Sequence, residues 1–486
     1  MAKGLFVNKS IKTLLEEASD TRHGLKRTLT ATNLTALGIG AIIGAGLFVM
    51  TGQVAAEYTG PGIALSFILA AIICVFAALC YAEFASLIPI AGSAYTYAYV
   101  TMGEFTAFII GWGLTLEYLF SAATVSVGWS GYCVSLLRDI GIVIPNYLSQ
   151  APFIYDVVNG WGSSGAFLNL PAMLIVAVMG ILVAIGIQTA ASVNNILVVV
   201  KLGVILLFIV CGIAFVKAEN LTPFVPDNTG IFGQYGFSGI FRGASVVFFA
   251  FIGFDALSTM TQEARNPQKD LPVGMLASLG ISTIVYIIVA LVLTGMVSYK
   301  LLNVPDPVAV AVNAMGPNFI WLRFVVKIAI LASMTSVILV MLLGQARIFY
   351  TMAHDGLLPK PFGKINQKTR TPFFTSMAVT LVAMIVAGLF PVGILGQITV
   401  IGALLAFAIV CFGVLVLRYK QPTLHRPFKT PFVPWVPLIG TIACITQMVV
   451  LPSVTWYQLI VWLIIGGIVY FKYSIKHSKV RLLQKK

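Results

Sequence analysis

The chain has 486 residues, of which 59% are hydrophobic and 9% are charged, and its mean hydropathy is +0.97. Soluble globular proteins carry about 25% charged residues, so the composition excludes a soluble fold and predicts an all-α polytopic membrane protein. The formal net charge of +14 lies mainly in tails and loops on one side of the predicted membrane spans, which argues against a nucleic-acid-binding surface.

Twelve apolar segments have the composition of transmembrane helices. Twelve spans place both termini on one side, and most of the 30 Lys and Arg residues lie in the tails and even-numbered loops on that side. The positive-inside rule therefore predicts a multi-pass protein of the plasma membrane with both termini in the cytoplasm. The segments are residues 34–57, 62–88, 103–137, 169–187, 192–217, 236–261, 272–299, 321–350, 372–390, 395–417, 432–452 and 456–473.

The regions outside the spans predict no separate soluble domain. Residues 1–33 are polar and charged and lack the apolar core of a signal peptide, so we expect a cytoplasmic tail. Residues 474–486 form a basic tail, which favours contact with the anionic headgroups of membrane lipids.

The first span contains five glycines, more than helix packing usually requires. Gly40 and Gly44 fit the small-xxx-small spacing of a close helix contact. The sequence Gly44-Ala45-Gly46, however, lies near the middle of the span, where two glycines around a small residue favour an unwound segment. We therefore predict that the first helix is broken.

The sixth span has a similar weak point at residues 247–255, where Gly253 and Asp255 interrupt an apolar helix. Residues 34–217 and 236–417 are nearly equal in length and hold five spans each, which predicts two repeats, the second inverted. The broken first and sixth helices are then equivalent, and paired interrupted helices indicate a transporter's substrate site. Residues 432–473 add two further helices.

Broken helices offer backbone groups that suit a small zwitterion. The half-helix after Ala45 would point N–H groups and its positive dipole end at a carboxylate. The half-helices that end near Ile42 and at Phe249–Ile252 would offer carbonyls to an ammonium group. An α-amino acid satisfies both ends, so the predicted binding residues are Ile42, Gly44, Ala45, Gly46, Phe249, Ala250 and Ile252.

Three acidic residues within the spans have more than one interpretation. Glu117, near the middle of the third span, is either a pocket wall that joins a proton relay or a structural carboxylate bound to hydroxyls and amides. Asp255 can cap the second half of the sixth helix and also touch the substrate. Glu83 lies nearer a cytoplasmic end, where we expect a structural or gating role.

Lys201 stands alone in the apolar fifth span, about 14 Å along the helix from Ser192. A lysine at that depth costs about 2.5–3.5 kcal/mol, so it needs a partner or a water-filled cavity. Snorkelling suits helix ends better than this depth. We therefore predict that Lys201 is functional.

No enzyme or metal site is predicted. The four histidines fall in segments predicted to be cytoplasmic, and catalytic motifs such as HExxH, Walker A and the nucleophile elbow do not occur in the sequence. The six cysteines lack CxxC spacing and are typical of small packing residues. We expect no cofactor apart from a coupling ion.

Six short motifs in order along the chain make it resemble the amino acid–polyamine–organocation superfamily, and in particular bacterial relatives of the cationic amino acid transporters. The motifs begin at Gly38, Tyr81, Gly111, Phe248, Glu263 and Asp355. The resemblance implies five plus five inverted helices with two appended, alternating access around the first and sixth helices, and a proton in place of sodium. It also implies that Lys201 reaches the first-helix break.

The resemblance also bears on specificity. The residue between the two glycines is often Ser or Thr in this family and is Ala45 here, so a hydroxyl contact to the carboxylate is missing. Met341 would face the substrate side chain and leave room only for small ones, unless it is simple core filling. Thr335 and Ser336 keep a sodium site open as an alternative, although a sodium ion beside Lys201 would be repelled.

Together these observations predict proton-coupled uptake of small neutral L-amino acids. The alternatives are transport or exchange of cationic amino acids or polyamines, and an amino acid sensor that does not transport.

Overall fold

A membrane interior offers no water to backbone N–H and C=O groups, so apolar segments form helices that bond internally. The structure, a computed structural model, describes residues 7, 29–88, 93–156, 160–185, 190–369 and 371–484. The helices of the first half are α1 (Ala31–Ile42), α2 (Thr51–Val54), α3 (Ile63–Leu87), α4 (Ser93–Thr101), α5 (Glu104–Asp139), α6 (Leu170–Ile185) and α7 (Ala190–Ile213).

The second half begins with a helix that is broken like the first. Its helices are α8 (Gly236–Val247), α9 (Pro267–Met296), α10 (Pro307–Asn313), α11 (Ile320–His354), α12 (Phe373–Leu389), α13 (Val392–Lys420), α14 (Trp435–Val450), α15 (Ser453–Val469), α16 (Ile475–His477) and α17 (Lys479–Gln484).

Seven helical stretches in the described ranges are long and apolar enough to cross a membrane, and five shorter apolar helices accompany them. The protein is therefore a polytopic helical membrane protein, as predicted. The exact number of spans and the inverted repeat remain predictions. The stretches are Gly46–Leu87, Glu104–Asp139, Gly236–Thr261, Pro267–Met296, Pro317–His354, Val392–Lys420 and Ser453–Leu482.

A small hairpin departs from the all-α prediction. Strands β1 (Phe153–Asp156) and β2 (Gly160–Ser163) pair antiparallel in the loop between α5 and α6. Phe153 and Trp161 pack their rings against Phe390 at the end of α12. Aromatic side chains that pack on a neighbour favour extended pairing, which explains a hairpin inside a connecting loop.

Both ends of the described chain meet on one face, which we call the terminal face. The Val7 carbonyl accepts a hydrogen bond from the Glu104 N–H at 3.0 Å, and Arg481 Nε lies 2.6 Å from Glu104 Oε1. Most of the predicted tail 1–33 lies outside the described residues. The far side, where α5 ends at Asp139, is called the opposite face.

Glu83 has a structural environment on the terminal face. Arg418 on α13 donates to both of its carboxylate oxygens, at 3.0 and 2.9 Å, and Arg426 Nε lies 3.1 Å from Oε1. The Thr430 N–H donates to Oε2 at 2.8 Å. Glu83 therefore joins the segment after α13 to α3 and α13.

Candidate functional site

The first helix is broken at the Gly44-Ala45-Gly46 segment, as the sequence predicted. α1 ends at Ile42, and Ile43 has extended backbone angles with φ −76° and ψ 102° before a π-helix over Gly46–Met50. The N–H groups of Gly44, Ala45 and Gly46 have no hydrogen-bond acceptor in the described part of the chain. Three unpaired donors at the start of a helix have the geometry that suits a carboxylate.

The second break follows α8. A 3₁₀ turn over Phe248–Phe251 leads to Gly253, which has φ +119°, and a second 3₁₀ helix covers Asp255–Glu263. Gly253 is required there because side chains rarely adopt this φ. Its N–H donates to Asp255 Oδ1 at 3.3 Å, so Asp255 binds the backbone just before the second half-helix, whereas no side chain caps the N–H groups of that helix, contrary to the predicted capping role of Asp255.

The two breaks touch each other directly. A Cβ on Gly46 would overlap the backbone of Ala250, and a Cβ on Gly253 would lie 3.0 Å from the Ala41 carbonyl. Ile42, Ala45, Phe249, Ala250 and Ile252 are all buried. The predicted substrate-binding residues of both breaks therefore form one site in the protein interior.

Tyr286 on α9 is a site residue that the sequence did not reveal. Its hydroxyl lies 2.9 Å from the Ile42 carbonyl and 2.7 Å from the Ala250 carbonyl, and it is positioned to donate to either. These carbonyls belong to the half-helix ends predicted to bind an ammonium group. One tyrosine in an apolar span gives no sequence signal for this contact.

The Lys201 amine lies at the first break. Its Nζ donates to the Gly40 carbonyl at 3.0 Å and to the Ile43 carbonyl at 2.7 Å, and the side chain is 2% exposed. Ser333 also donates to the Ile43 carbonyl, at 3.1 Å. No carboxylate in the described ranges forms an ion pair with Lys201, so backbone carbonyls alone hold the amine.

The two hydroxyls considered for sodium do not touch this position. Thr335 donates to the Leu331 carbonyl, and Ser336 donates to the Ser333 carbonyl, so both bond their own helix. The hydroxyl of α11 that reaches the break is that of Ser333, which donates to the Ile43 carbonyl. Sequence spacing alone could not decide which hydroxyl on α11 faces inward.

Glu117 is fully buried, and neither of its carboxyl oxygens has a hydrogen-bond donor among the described groups. Its side chain lies next to the carboxyl of Asp255, which accepts from Tyr118 at 2.5 Å. The structural interpretation, with hydroxyls and amides binding Glu117, is not what the geometry shows. Two adjacent carboxylates repel, so a shared proton or a cationic group would stabilise the pair.

Met341 is fully buried on α11, one helical turn before Gln345. Gln345 donates to Thr115 at 3.2 Å, which joins this part of α11 to the α5 turn that carries Glu117. Both interpretations of Met341, as the side-chain wall of the site and as core filling, require this burial.

Two broken helices that meet around unpaired backbone groups are typical of membrane transporters. The chain belongs to the amino acid permease family, which matches residues 29–470. This confirms the predicted superfamily, and it identifies a transporter of small molecules rather than an enzyme.

Three relatives illustrate the range of the family. The chain is 43% identical over 475 residues to a methylthioribose transporter of Bacillus subtilis (strain 168), covering 98% of each protein. It is 43% identical over 481 residues to the branched-chain amino acid permease BcaP of the same organism, covering 99% of the chain and 100% of the relative. It is 34% identical over 431 residues to human cationic amino acid transporter 4, covering 87% of the chain and 66% of the relative.

The contact between the breaks yields a first prediction. Gly46→Val should eliminate substrate binding, because any side chain there overlaps Ala250 and pushes the two breaks apart. Binding would be measured by thermal shift of the purified variant with a transported amino acid. Gly203→Val is the control, because no atom lies within 4 Å of a Cβ at that helical position. Normal binding by Gly46→Val would contradict this geometry.

Proposed function

We propose that the protein is a proton-coupled symporter that takes up small neutral L-amino acids across the cell membrane by alternating access, with both termini in the cytoplasm. The observation that carries this proposal is that two kinds of backbone group face one buried site. Unpaired N–H groups at Gly44–Gly46 lie on one side, and the carbonyls of Ile42 and Ala250 lie on the other. The family supports amino acid transport in general.

A zwitterion suits this arrangement better than a neutral or a singly charged molecule. Its carboxylate would accept from the free N–H groups, and its ammonium would share the carbonyls that Tyr286 now contacts. Each carbonyl oxygen has two lone pairs, so Tyr286 and an ammonium can bind the same oxygen. Both charges are needed, because a buried polar group left unpaired costs about 1–3 kcal/mol.

Proton coupling is supported by the position of Lys201. A charged amine donates to the Gly40 and Ile43 carbonyls and holds the end of α1. A neutral amine has one N–H group fewer than a charged amine, and it carries a lone pair that carbonyl oxygens repel. Loss of the proton would therefore weaken the contact between Lys201 and the end of α1. Protonation would therefore be linked to the position of the first half-helix, which alternating access requires to move. A sodium ion would have to displace the amine.

The relatives name other substrates, and these define the alternatives. A cationic amino acid would need a partner for its side chain, and the Glu117–Asp255 pair offers one. Methylthioribose has neither a carboxylate nor an amine, so it would not use both half-helix ends. A sensor that binds but does not transport would use the same site.

A ligand screen tests the zwitterion site. The free amino acid should stabilise the purified protein by thermal shift, because a ligand that binds only the folded state raises its stability. The α-amide and the N-acetyl derivative should give no shift at the same concentration, and methylthioribose should serve as the comparison. Equal shifts from the α-amide and the free acid would show that the helix-terminus site is wrong. Counterflow of labelled substrate in proteoliposomes would separate transport from sensing.

The coupling prediction concerns Lys201. Lys201→Ala should abolish accumulation driven by an imposed pH gradient in proteoliposomes, since no other amine lies at the break in the described structure. Lys300→Ala, which removes an exposed amine on the opposite face, is the matched control and should accumulate substrate normally. Proton-driven uptake by Lys201→Ala, or strict sodium dependence of the parent protein, would refute proton coupling through Lys201.

The specificity prediction concerns Met341. Met341→Ser should strengthen competition by arginine or lysine against labelled alanine at least about tenfold, because a few heavy atoms of fit are worth about 1–3 kcal/mol. Adding Glu117→Gln should remove this gain. Met352→Ser changes another fully buried methionine of α11 and should leave competition unchanged. A parent protein that already prefers arginine would assign the cationic class instead.

A further inference from the structure

The segment between α9 and α11 is inserted into the opposite face of the bundle. A Cβ on Gly52 would lie 2.5 Å from both the Leu302 carbonyl and Pro307, and a Cβ on Gly131 would lie 2.5 Å from Pro305. Glycines on the first span and on α5 therefore make room for this segment. We call residues 302–313, which end with α10, the lid.

The lid is joined to α5 and α11 by a charged cluster. Lys327 on α11 is 2% exposed, and its Nζ lies 2.7 Å from Asp139 Oδ2, 2.7 Å from Ser135 Oγ and 3.9 Å from Asp306 Oδ2. Ser135 also donates to the Asp306 carboxyl. Asp306 directly precedes α10 in the lid, so this cluster connects the lid to the bundle.

Behind the lid is a cavity that reaches Lys201. Its volume is about 10 Å³, which is room for about one water molecule. Val308 of the lid forms one wall, Val326 and Ala329 of α11 form another, and Lys201 is the one polar residue among the described residues that line it. The lid therefore reaches the cavity beside Lys201 through Val308.

The charges around Asp306 are unevenly matched. Asp139 is the close partner of Lys327 and also pairs with Arg323 at 3.2 Å, so Asp306 is the more distant of the two carboxylates that face Lys327. The other titratable groups that face the lid are Tyr132 on α5 and Glu57, which accepts from Asn303. Burial raises the pKa of the Asp306 carboxyl, and the Ser135 hydrogen bond and the Lys327 charge only partly offset it.

From this geometry we propose that residues 302–313 are a proton-operated lid, in which Asp306 takes up a proton from the opposite face as the lid closes over the cavity beside Lys201. The sign follows from linkage. Because the closed lid holds the proton on Asp306 more tightly than water-exposed Asp306 would, falling pH favours the closed lid. Rising pH ionises the partly buried carboxyl and favours opening.

This inference rests on the proposed function only for its purpose, which is to close the opposite face when protons are abundant there. In a proton-coupled importer, proton uptake from outside would then accompany closure of the outer path. The lid itself can be tested without substrate and without transport, so its failure and the failure of proton coupling can be told apart.

The experiment uses the full-length protein with Ala329→Cys, which places a thiol on the cavity wall behind the lid. The rate of labelling by a small charged thiosulfonate is measured in detergent between pH 5.5 and 8, with the parent protein as the background. A thiol reacts faster at higher pH for its own reasons, so each rate is divided by that of the same cysteine with Asp306→Asn. Asp306→Asn mimics the protonated carboxyl and should keep the lid closed.

The ratio of labelling rates should rise at least about threefold from pH 5.5 to 8, as the ionised carboxyl favours opening. The control is Asp227→Asn in the Ala329→Cys protein, which changes an exposed carboxylate in the loop before α8. Its labelling should follow the same pH profile as that of Ala329→Cys alone. A flat ratio would overturn the proposal. If Asp306→Asn does not fold, the same labelling is measured for Ser135→Ala in the Ala329→Cys protein. That variant removes a donor to Asp306, so its labelling midpoint should shift to higher pH, and an unchanged or lower midpoint would also overturn the proposal.

Discussion

Everything at the centre of this protein depends on how backbone groups are satisfied where a helix is interrupted inside a membrane. An unpaired backbone group in an apolar interior is costly, so an interrupted helix needs partners from elsewhere in the fold. Here Lys201 and Ser333 bind the Ile43 carbonyl, and Tyr286 bridges the Ile42 and Ala250 carbonyls. Three different helices thus hold the two breaks, and the N–H groups of Gly44–Gly46 remain for a ligand.

The same partners connect the two broken helices to each other and to Lys201. Tyr286 contacts both broken helices, and Gly46 lies against Ala250, so the first and sixth helices move together or lose these contacts. Lys201 connects α7 to the end of α1. Under the proposed mechanism, a change in the charge of this amine would act directly on the half-helix that ends at the first break.

The two faces use buried ion pairs in different ways. On the terminal face, Glu83 and Glu104 are surrounded by arginines, hydroxyls and backbone donors that tie distant segments together. On the opposite face, the Lys327 cluster holds a short inserted segment, and Asp306 is a more distant partner of Lys327 than Asp139 is. Breaking a well-matched buried pair is strongly unfavourable, whereas a poorly matched carboxyl can change its protonation. The terminal face therefore joins distant segments, whereas the opposite face carries the carboxyl on which the proposed lid depends.

The sequence alone determined the membrane class, the positions of the breaks and the presence of one isolated lysine, Lys201, within an apolar helix, because hydropathy, glycine spacing and an isolated charge are local signals. It also located the residues of the two breaks, because glycines and an acidic residue within an apolar helix mark the break directly. These residues are Ile42, Gly44, Ala45, Gly46 and Phe249–Asp255. Tertiary structure alone decided that Tyr286 and Ser333 serve the breaks, that Glu117 lies beside Asp255, and that Asp306 meets Lys327. Those pairs are separated by long stretches of chain, and which face of a uniformly apolar helix turns inward depends on packing rather than on any pattern within the helix.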